Sequence, residues 1–155
     1  MNAVNDFSWD DRYLVGHQAM DDTHKEFVDL VEAMLCADET SFASAIDSFA
    51  IHLEEHFESE RRLMDQYGFP ARDCHIEEHD RVLASVREVR ALVANGDAET
   101  GRELTRALAD WFPGHTDYMD SALATWVSKK VANGAPVVLR RSMRRHAAAE
   151  ATASA

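Results

Sequence analysis

The sequence predicts an all-α protein, an up-down-up-down antiparallel four-helix bundle that carries an N-terminal arm. Apolar residues recur at three- and four-residue spacing through four segments, and short turns containing polar residues, Gly or Pro separate these segments. No alternating pattern typical of a β-strand competes with this periodicity. With 155 residues, of which 46% are hydrophobic, the chain is long enough for one domain with a hydrophobic core.

The first segment, residues 1–17, lacks sustained periodicity but contains Phe7, Trp9 and Tyr13. A segment with three aromatic side chains is more often packed against a protein than exposed. We therefore predict that it forms an ordered arm over the bundle, and the alternative is a disordered terminus.

Capping and turn signals predict where the four helices begin and end. Residues 38–41 offer good N-cap side chains, Gly68 and Pro70 interrupt the chain, and residues 95–97 (Asn-Gly-Asp) form a strong stop signal. Gly tolerates left-handed dihedral angles, and Pro cannot continue a helix. The helices are therefore expected at about residues 18–37, 42–67, 71–94 and 98–132.

The fourth predicted helix contains two irregularities. Pro113 lies in its interior, where it removes one hydrogen bond and is expected to kink the helix. The apolar stripe is expected to continue through His115, Tyr118 and Ala122 to Trp126. An acidic residue five positions after His115, Asp120, lies off this face on an ideal helix.

The overall charge argues against a nucleic-acid-binding protein. The chain has 16 basic and 28 acidic residues, a net charge of −12, whereas affinity for phosphate requires a cationic surface. The first residues show neither the cationic nor the apolar part of a signal peptide, and no apolar run has membrane-spanning length. Two cysteines, Cys36 and Cys74, do not suggest a disulfide framework. We therefore expect a cytoplasmic protein without a membrane or nucleic-acid partner.

The C-terminal part of the sequence differs in charge from the rest. Residues 129–155 carry six basic residues and one acidic residue, a net of +5, which leaves −17 for the remainder. We divide the chain into a bundle of residues 1–132, with 1–17 as its arm, and a basic and then Ala-rich tail of residues 133–155. Ala and Arg favour a short fifth helix in this tail, and a solvated, frayed tail is the alternative. The tail is also the candidate contact for an acidic protein partner or for the acidic bundle itself.

Five histidines and two carboxylates fall on the apolar faces of the predicted helices. His56 and Glu60 are one turn apart, as are His75 and His79, so the members of each pair share a helix face. Taken singly, they suggest a core histidine, a buried hydrogen-bonded pair or a charged helix start. Together they require another explanation, because buried carboxylates and imidazoles are costly unless paired. The full set is His24, His56, Glu60, His75, His79, His115 and Asp120.

A metal site is the simplest explanation for this set of side chains. Imidazole and carboxylate donors without thiolate suit iron, zinc or manganese, and the number of donors exceeds that of one tetrahedral ion. Two ions that share carboxylates fit better. Ferritin-like di-iron bundles use Glu-x-x-His pairs, whereas no histidine in this sequence has Glu three residues before it.

The order and spacing of these residues resemble the haemerythrin family, in particular its single-domain bacterial members. The resemblance rests on His24 alone in the first helix, HFESE at residues 56–60, HIEEH at residues 75–79 and W-x₃-H-x₄-D at residues 111–120. The N-terminal segment FSWDDRYLVGHQAMDDTHKEF is similar to that family as well. The resemblance covers roughly residues 7 to 127, and seven matching ligand positions in order make it specific.

The resemblance implies a cofactor of two non-haem iron ions (Fe²⁺/Fe³⁺) joined by an oxo or hydroxo bridge. It also implies that dioxygen binds at an open position of one iron. We therefore expect a reversible dioxygen-binding protein for oxygen storage, delivery or scavenging, a monomer and not an enzyme. The implied ligands are His75, His79 and His115 for one iron, His24 and His56 for the other, and Glu60 and Asp120 as bridges.

Two other functions stay open from the sequence. The protein could be an oxygen or redox sensor that acts through its arm or its basic tail, or a di-iron enzyme that acts on peroxide or nitric oxide. Such an enzyme needs an acid or a base near the open iron, and the sequence offers no convincing one. Phe112, at a position where relatives commonly have an aliphatic residue, is expected to narrow the pocket. Trp111 and Tyr118 are candidates for lining it.

Overall fold

Four antiparallel helical rods form the described part of the protein, which confirms the predicted four-helix bundle. The computed structural model describes residues 7–132, and this part of the chain contains no strand. A short 3₁₀ turn, Asp11–Tyr13, precedes the first rod. In the fourth rod, two α-helices are joined by a π-helical segment. The elements are α1 (Gln18–Cys36), α2 (Glu39–Tyr67), α3 (Arg72–Ala94), α4 (Ala98–His115), the π segment (Thr116–Asp120) and α5 (Ser121–Val131).

The predicted turn signals mark both ends of α2. The side chain of Asp38 accepts a hydrogen bond from the N–H of Ser41 at 2.8 Å, and the Ser41 hydroxyl accepts one from the N–H of Asp38 at 3.1 Å. At the other end, Gly68 adopts a left-handed conformation with φ of 61°, and its N–H donates to the carbonyl of Met64. The tight turn that follows brings α2 and α3 side by side.

The described part of the N-terminal arm packs on the bundle. Phe7, Leu14 and Val15 are buried. Asp21, which is fully buried near the start of α1, accepts hydrogen bonds from the backbone N–H groups of Val15 at 2.8 Å and Gly16 at 3.3 Å. These two bonds tie the end of the arm to the first rod.

A polar layer separates two hydrophobic clusters in the core. On α1, His24 lies between Met20 of the smaller cluster and Phe27 of the larger one. On α2, Glu60 lies between Phe57 of the larger cluster and Met64 of the smaller one. The polar residues are therefore enclosed by apolar packing along the rods.

The π segment sets the fourth rod apart from an ordinary α-helix. The N–H of Ser121 donates to the carbonyl of Thr116, five residues earlier, so the turn contains one residue more than an α-helical turn. The chain passes through Pro113 within α4 and changes its hydrogen bonding only after His115.

This extra residue makes part of the predicted apolar stripe wrong. Tyr118 and Ala122 were expected on the buried face, yet Tyr118 is 80% exposed and Ala122 is exposed as well. The prediction assumed a uniform α-helical period, whereas the π segment moves every later buried position by one residue. Those buried positions are Asp120, Leu123, Ala124 and Val127.

Two parts of the sequence prediction lie outside the described residues. They are residues 1–6 of the arm and the tail at residues 133–155, with its alternative of a fifth helix. Within residues 7–132, no helix combines the length and the apolar character needed to cross a membrane.

Candidate metal centre

All seven candidate residues come together in the polar layer, and the four rods each contribute at least one of them. Their side chains point inward and none of the residues is more than 7% exposed. The donor atoms form two overlapping groups, and within each group they lie within 4.8 Å of one another. We call His75, His79 and His115 the three-histidine set, and His24 and His56 the two-histidine set.

Glu60 directs its two oxygens to different sets. Its Oε1 lies 2.8 Å from Nε2 of His56 and 3.2 Å from Nε2 of His24. Its Oε2 lies 3.3 Å from Nε2 of His79 and 3.4 Å from Nε2 of His75. One carboxylate thus faces both sets at once.

Asp120 divides its oxygens in the same way. Its Oδ1 lies 3.0 Å from Nε2 of His75 and 3.2 Å from Nε2 of His115, while its Oδ2 lies 3.2 Å from Nε2 of His24. The hydroxyl of Thr116, one turn earlier, donates to Oδ2 at 3.5 Å. The two carboxylates therefore share the same arrangement between the sets.

The π segment explains how Asp120 reaches this position. Residues five apart on an ideal α-helix diverge by about 140° around the axis, which is why the sequence places Asp120 off the face of His115. Five residues make little more than one turn of a π-helix, so both side chains point into the bundle. The spacing that misfits an α-helix fits the π segment.

Buried atoms without hydrogen bonds indicate that the cluster suits a cation. In the described part of the chain, Oε2 of Glu60, Oδ1 of Asp120 and Nε2 of His75 are buried and have no hydrogen-bond partner. Nε2 of His75 lies 3.0 Å from Oδ1 of Asp120, yet the two atoms do not form a hydrogen bond. They surround a common point rather than pair with each other. This donor chemistry fits iron, manganese or zinc.

The electrostatics of the cluster point the same way. Burial lowers the pKa of His24, but the charges and hydrogen bonds of Asp120 and Glu60 outweigh burial and raise it to about 10. The pKa of His75 is raised to about 9 against the effect of burial by the same two carboxylates. Although burial opposes it, the neighbouring imidazoles hold the pKa of both carboxyl groups well below their usual range. Because imidazole binds metals in its neutral form, a bound cation would replace the protons of these histidines.

Aromatic rings cover two members of the three-histidine set face to face. The ring of Phe57 lies on His79 with 3.8 Å between centroids and 4° between planes. The ring of Trp111 lies on His115 at 4.3 Å and 25°. The indole N–H of Trp111 donates to Oε1 of Glu78 on α3 at 2.8 Å.

Aromatic rings meet the two-histidine set edge to face. Phe112 approaches His24 with 5.6 Å between centroids and 81° between planes, and Phe27 approaches His56 at 6.0 Å and 84°. Phe112 is 1% exposed and also contacts Tyr13 of the arm.

Sequence reasoning named some of these neighbours and missed others. It proposed Trp111 as a pocket residue, and the stack on His115 agrees with that. It also proposed Tyr118, which the π segment turns to solvent instead. It missed Phe57 and Glu78, since an aromatic residue and an acid on a helix carry no signal of a contact with another rod.

His52 is a further buried histidine beside the cluster but outside both donor groups. Its Nδ1 lies 3.5 Å from Oε2 of Glu26, and its ring lies 5.3 Å from that of His56. Burial and the nearby histidines lower the pKa of His52 to about 4. His52 therefore packs beside the cluster rather than in it.

Comparison with known proteins identifies the family of this fold and site. Residues 15–127 match the family described as "Hemerythrin HHE cation binding domain". A bacteriohemerythrin of Ralstonia nicotianae is 41% identical over 122 residues, which are 79% of this chain and 89% of the relative. A bacteriohemerythrin of Methylococcus capsulatus is 25% identical over 104 residues, 64% of this chain and 79% of the relative.

The fold has a counterpart among solved structures. The crystal structure of a hemerythrin mutant aligns with a TM-score of 0.72 at 22% identity, and the alignment covers 80% of this chain and 98% of the other. At this identity the likeness supports the fold alone. The match over residues 15–127 and the 41% identical relative establish more, and the chain belongs to the haemerythrin family.

Proposed function

We propose that this protein is a non-haem di-iron protein that binds dioxygen reversibly, for oxygen storage, delivery or scavenging. The observation that carries the proposal is the division of the two carboxylates. Glu60 and Asp120 each direct one oxygen to the three-histidine set and the other to the two-histidine set. Such an arrangement suits two ions joined by shared ligands.

The two sets of donors would hold one iron each. The three-histidine set would hold the first iron and the two-histidine set the second, with Glu60 and Asp120 common to both. Two ferrous ions held there would supply the two electrons that reversible dioxygen binding requires. Because the two-histidine set offers one imidazole fewer, we place the dioxygen site there.

The residues around the two-histidine set favour a carrier over an enzyme. Phe112 packs against His24 and Phe27 against His56, in both cases with the ring planes nearly perpendicular, and both phenylalanines are buried. Apolar walls exclude water and slow irreversible oxidation, which a reversible carrier requires. An enzyme acting on peroxide or nitric oxide would need a proton donor at this place instead.

The wider properties of the chain are consistent with a monomeric carrier in the cytoplasm. Cys36 and Cys74 are exposed and unpaired, which suits a reducing compartment. The acidic surface disfavours nucleic acid as a partner. A sensor that acts through the basic tail at residues 133–155 is the alternative, and a partner that binds the full chain only in one oxygenation state would support it.

Iron content and the visible spectrum together test the proposal. The protein is reduced without oxygen, its iron is counted, and spectra are recorded before and after oxygen is admitted and removed. We expect about two irons per chain and an oxygen-dependent charge-transfer band that disappears when oxygen is withdrawn. A folded protein without iron would refute the di-iron site. Two irons with an irreversible change, or steady turnover of peroxide or nitric oxide, would refute the carrier.

A further inference from the structure

His115 makes its polar contacts through Nε2, which lies 3.1 Å from Nε2 of His79 and 3.2 Å from Oδ1 of Asp120, and no hydrogen bond from the described residues holds the other side of its ring. Its Nδ1 is buried and has no hydrogen-bond partner within residues 7–132. Histidines that bind metals usually donate this second ring N–H to a carboxylate or a carbonyl, which fixes the plane and the tautomer of the ring. In His115 the indole of Trp111 covers the ring face, at 4.3 Å and 25°. The stack therefore restrains rotation of the imidazole on the side of the ring away from Nε2.

Trp111 in turn is held by an acid on the neighbouring rod. Its indole N–H donates to Oε1 of Glu78 at 2.8 Å, a hydrogen bond with a charged acceptor that joins α4 to α3. Glu78 directly precedes His79, so the backbone that positions one histidine of the set also positions the support of another. The contacts form a chain from Glu78 through Trp111 to His115.

We propose that Glu78 is a positioning residue of the candidate metal centre, which fixes the ring of His115 by holding Trp111. The proposal rests on the proposed function in so far as His115 is taken to bind iron. Without the carboxylate the indole N–H loses its hydrogen-bond acceptor and the ring tilts. His115 then rotates away from the point that the donor atoms of its set surround. The iron of the three-histidine set is then released faster, while the two-histidine set keeps its donors unchanged.

The protein contains an internal reference for this effect. His79 is also covered by a ring, that of Phe57, at 3.8 Å and 4°. Phe57 has no polar group and is 6% exposed, so buried packing alone holds this second stack. A change at Glu78 acts on the His115 stack and leaves the His79 stack as it is.

Three variants of the full chain test the proposal. Glu78→Ala removes the acceptor, and Glu78→Gln keeps an acceptor oxygen at the same place. Glu77→Ala is the matched control, because Glu77 is the adjacent acid on α3 and, like Glu78, approaches Arg81 to within about 4 Å. Thermal unfolding of each variant verifies that it folds.

The first measurement does not depend on iron. In the iron-depleted protein, nuclear magnetic resonance reports the ring-proton shifts of His115 and His79, which stacked aromatic rings displace from ordinary values. We expect Glu78→Ala to move the His115 shifts towards those of an unstacked histidine, with a smaller change at His79, whose Nε2 contacts Nε2 of His115 at 3.1 Å. Glu78→Gln should restore most of the displacement. Unchanged His115 shifts in Glu78→Ala, or an equal change in Glu77→Ala, would overturn the proposal.

The second measurement is the rate at which reduced protein releases iron to a strong chelator without oxygen. We expect Glu78→Ala to release one of its two irons about tenfold faster, since partners of metal ligands contribute about that much to affinity. Glu78→Gln and Glu77→Ala should stay within about twofold of the parent. Equal release from Glu78→Ala and the parent would overturn the proposal. If the parent holds no iron while the His115 shifts change as expected, the proposed function fails and the role of Glu78 in holding His115 stands.

Discussion

The three-histidine and two-histidine sets use the same two carboxylates but surround them differently. On one side three imidazoles converge, and flat rings cover two of them at 3.8 and 4.3 Å. On the other side two imidazoles meet ring edges at 5.6 and 6.0 Å. On the proposed function, the first arrangement would retain an ion and the second would bind the further ligand. We therefore call the three-histidine set the retaining half and the two-histidine set the reacting half of the proposed site.

Removing a shared carboxylate should weaken iron binding by both histidine sets and so cause the largest loss of iron. Glu60→Ala takes one oxygen from each set and leaves four facing imidazoles without it. We expect iron to fall about tenfold, from about two per chain to about 0.2, as measured on protein purified under reducing conditions. Glu58→Ala, an acid of the same helix that is ion-paired with Arg61 on the surface, should keep its iron. Retention of one full iron by Glu60→Ala would show that the carboxylate is not shared.

Two single variants, each lacking one histidine of a different set, should differ in how much iron they bind. His56→Ala leaves a single imidazole on its side, so we expect about one iron per chain and no oxygen-dependent band. His115→Ala leaves two imidazoles and both carboxylates, so we expect about two irons at saturating metal, with about tenfold weaker binding of one. Equilibrium titration with ferrous iron measures both. His52→Ala is the control, because His52 is buried one turn before His56 but outside both sets. The reverse ranking of the two variants would contradict the assigned halves.

Stepwise removal of metal should show that the iron of the three-histidine set contributes more to thermal stability than the iron of the two-histidine set. Ligands that bind only the folded state stabilise it by about 4 kcal/mol at a thousandfold excess over the dissociation constant, and for a chain of this size that corresponds to about 10 °C in Tm. We expect a limiting amount of chelator to remove the iron of the two-histidine set first, with the loss of the oxygen-dependent band. The larger part of the decrease in Tm should follow the second equivalent. Calorimetry with parallel spectra measures this, and loss of both irons in one step would contradict a difference between the halves.

A smaller effect is expected from the aromatic wall of the reacting half. Phe112→Leu shortens the side chain that lies against His24 and should raise the dioxygen association rate several-fold, at a cost of about 1 kcal/mol in stability. Phe42→Leu, in a fully buried position outside the rings that contact His24 and His56, is the control. It should lose comparable stability without a change in rate. Stopped-flow mixing with oxygen measures the rate, and equal rates in Phe112→Leu and the parent would exclude this wall as the barrier.

The sequence predicted the candidate metal ligands better than the residues that hold them in place. Periodicity alone places His75 and His79 on one face, and likewise His56 and Glu60, because four residues make about one α-helical turn. Periodicity could not place Asp120, whose assignment came from the family resemblance. The reason is that the π segment depends on hydrogen bonds that the residue types of this stretch do not indicate. Glu78 could not be recognised either, because an acid on the surface of a helix looks the same with or without an indole from the next rod.

The π segment also affects how the length of this chain can vary. It amounts to one inserted residue in an otherwise regular rod. A chain lacking Tyr118, whose side chain is 80% exposed, would have three residues between His115 and its acid, the spacing that His56 and Glu60 already have. All later buried positions would remain buried in an unbroken α-helix. Sequences that differ by one residue at this turn can therefore build the same bundle, and an alignment gap there signals a change of helix type rather than the loss of a ligand.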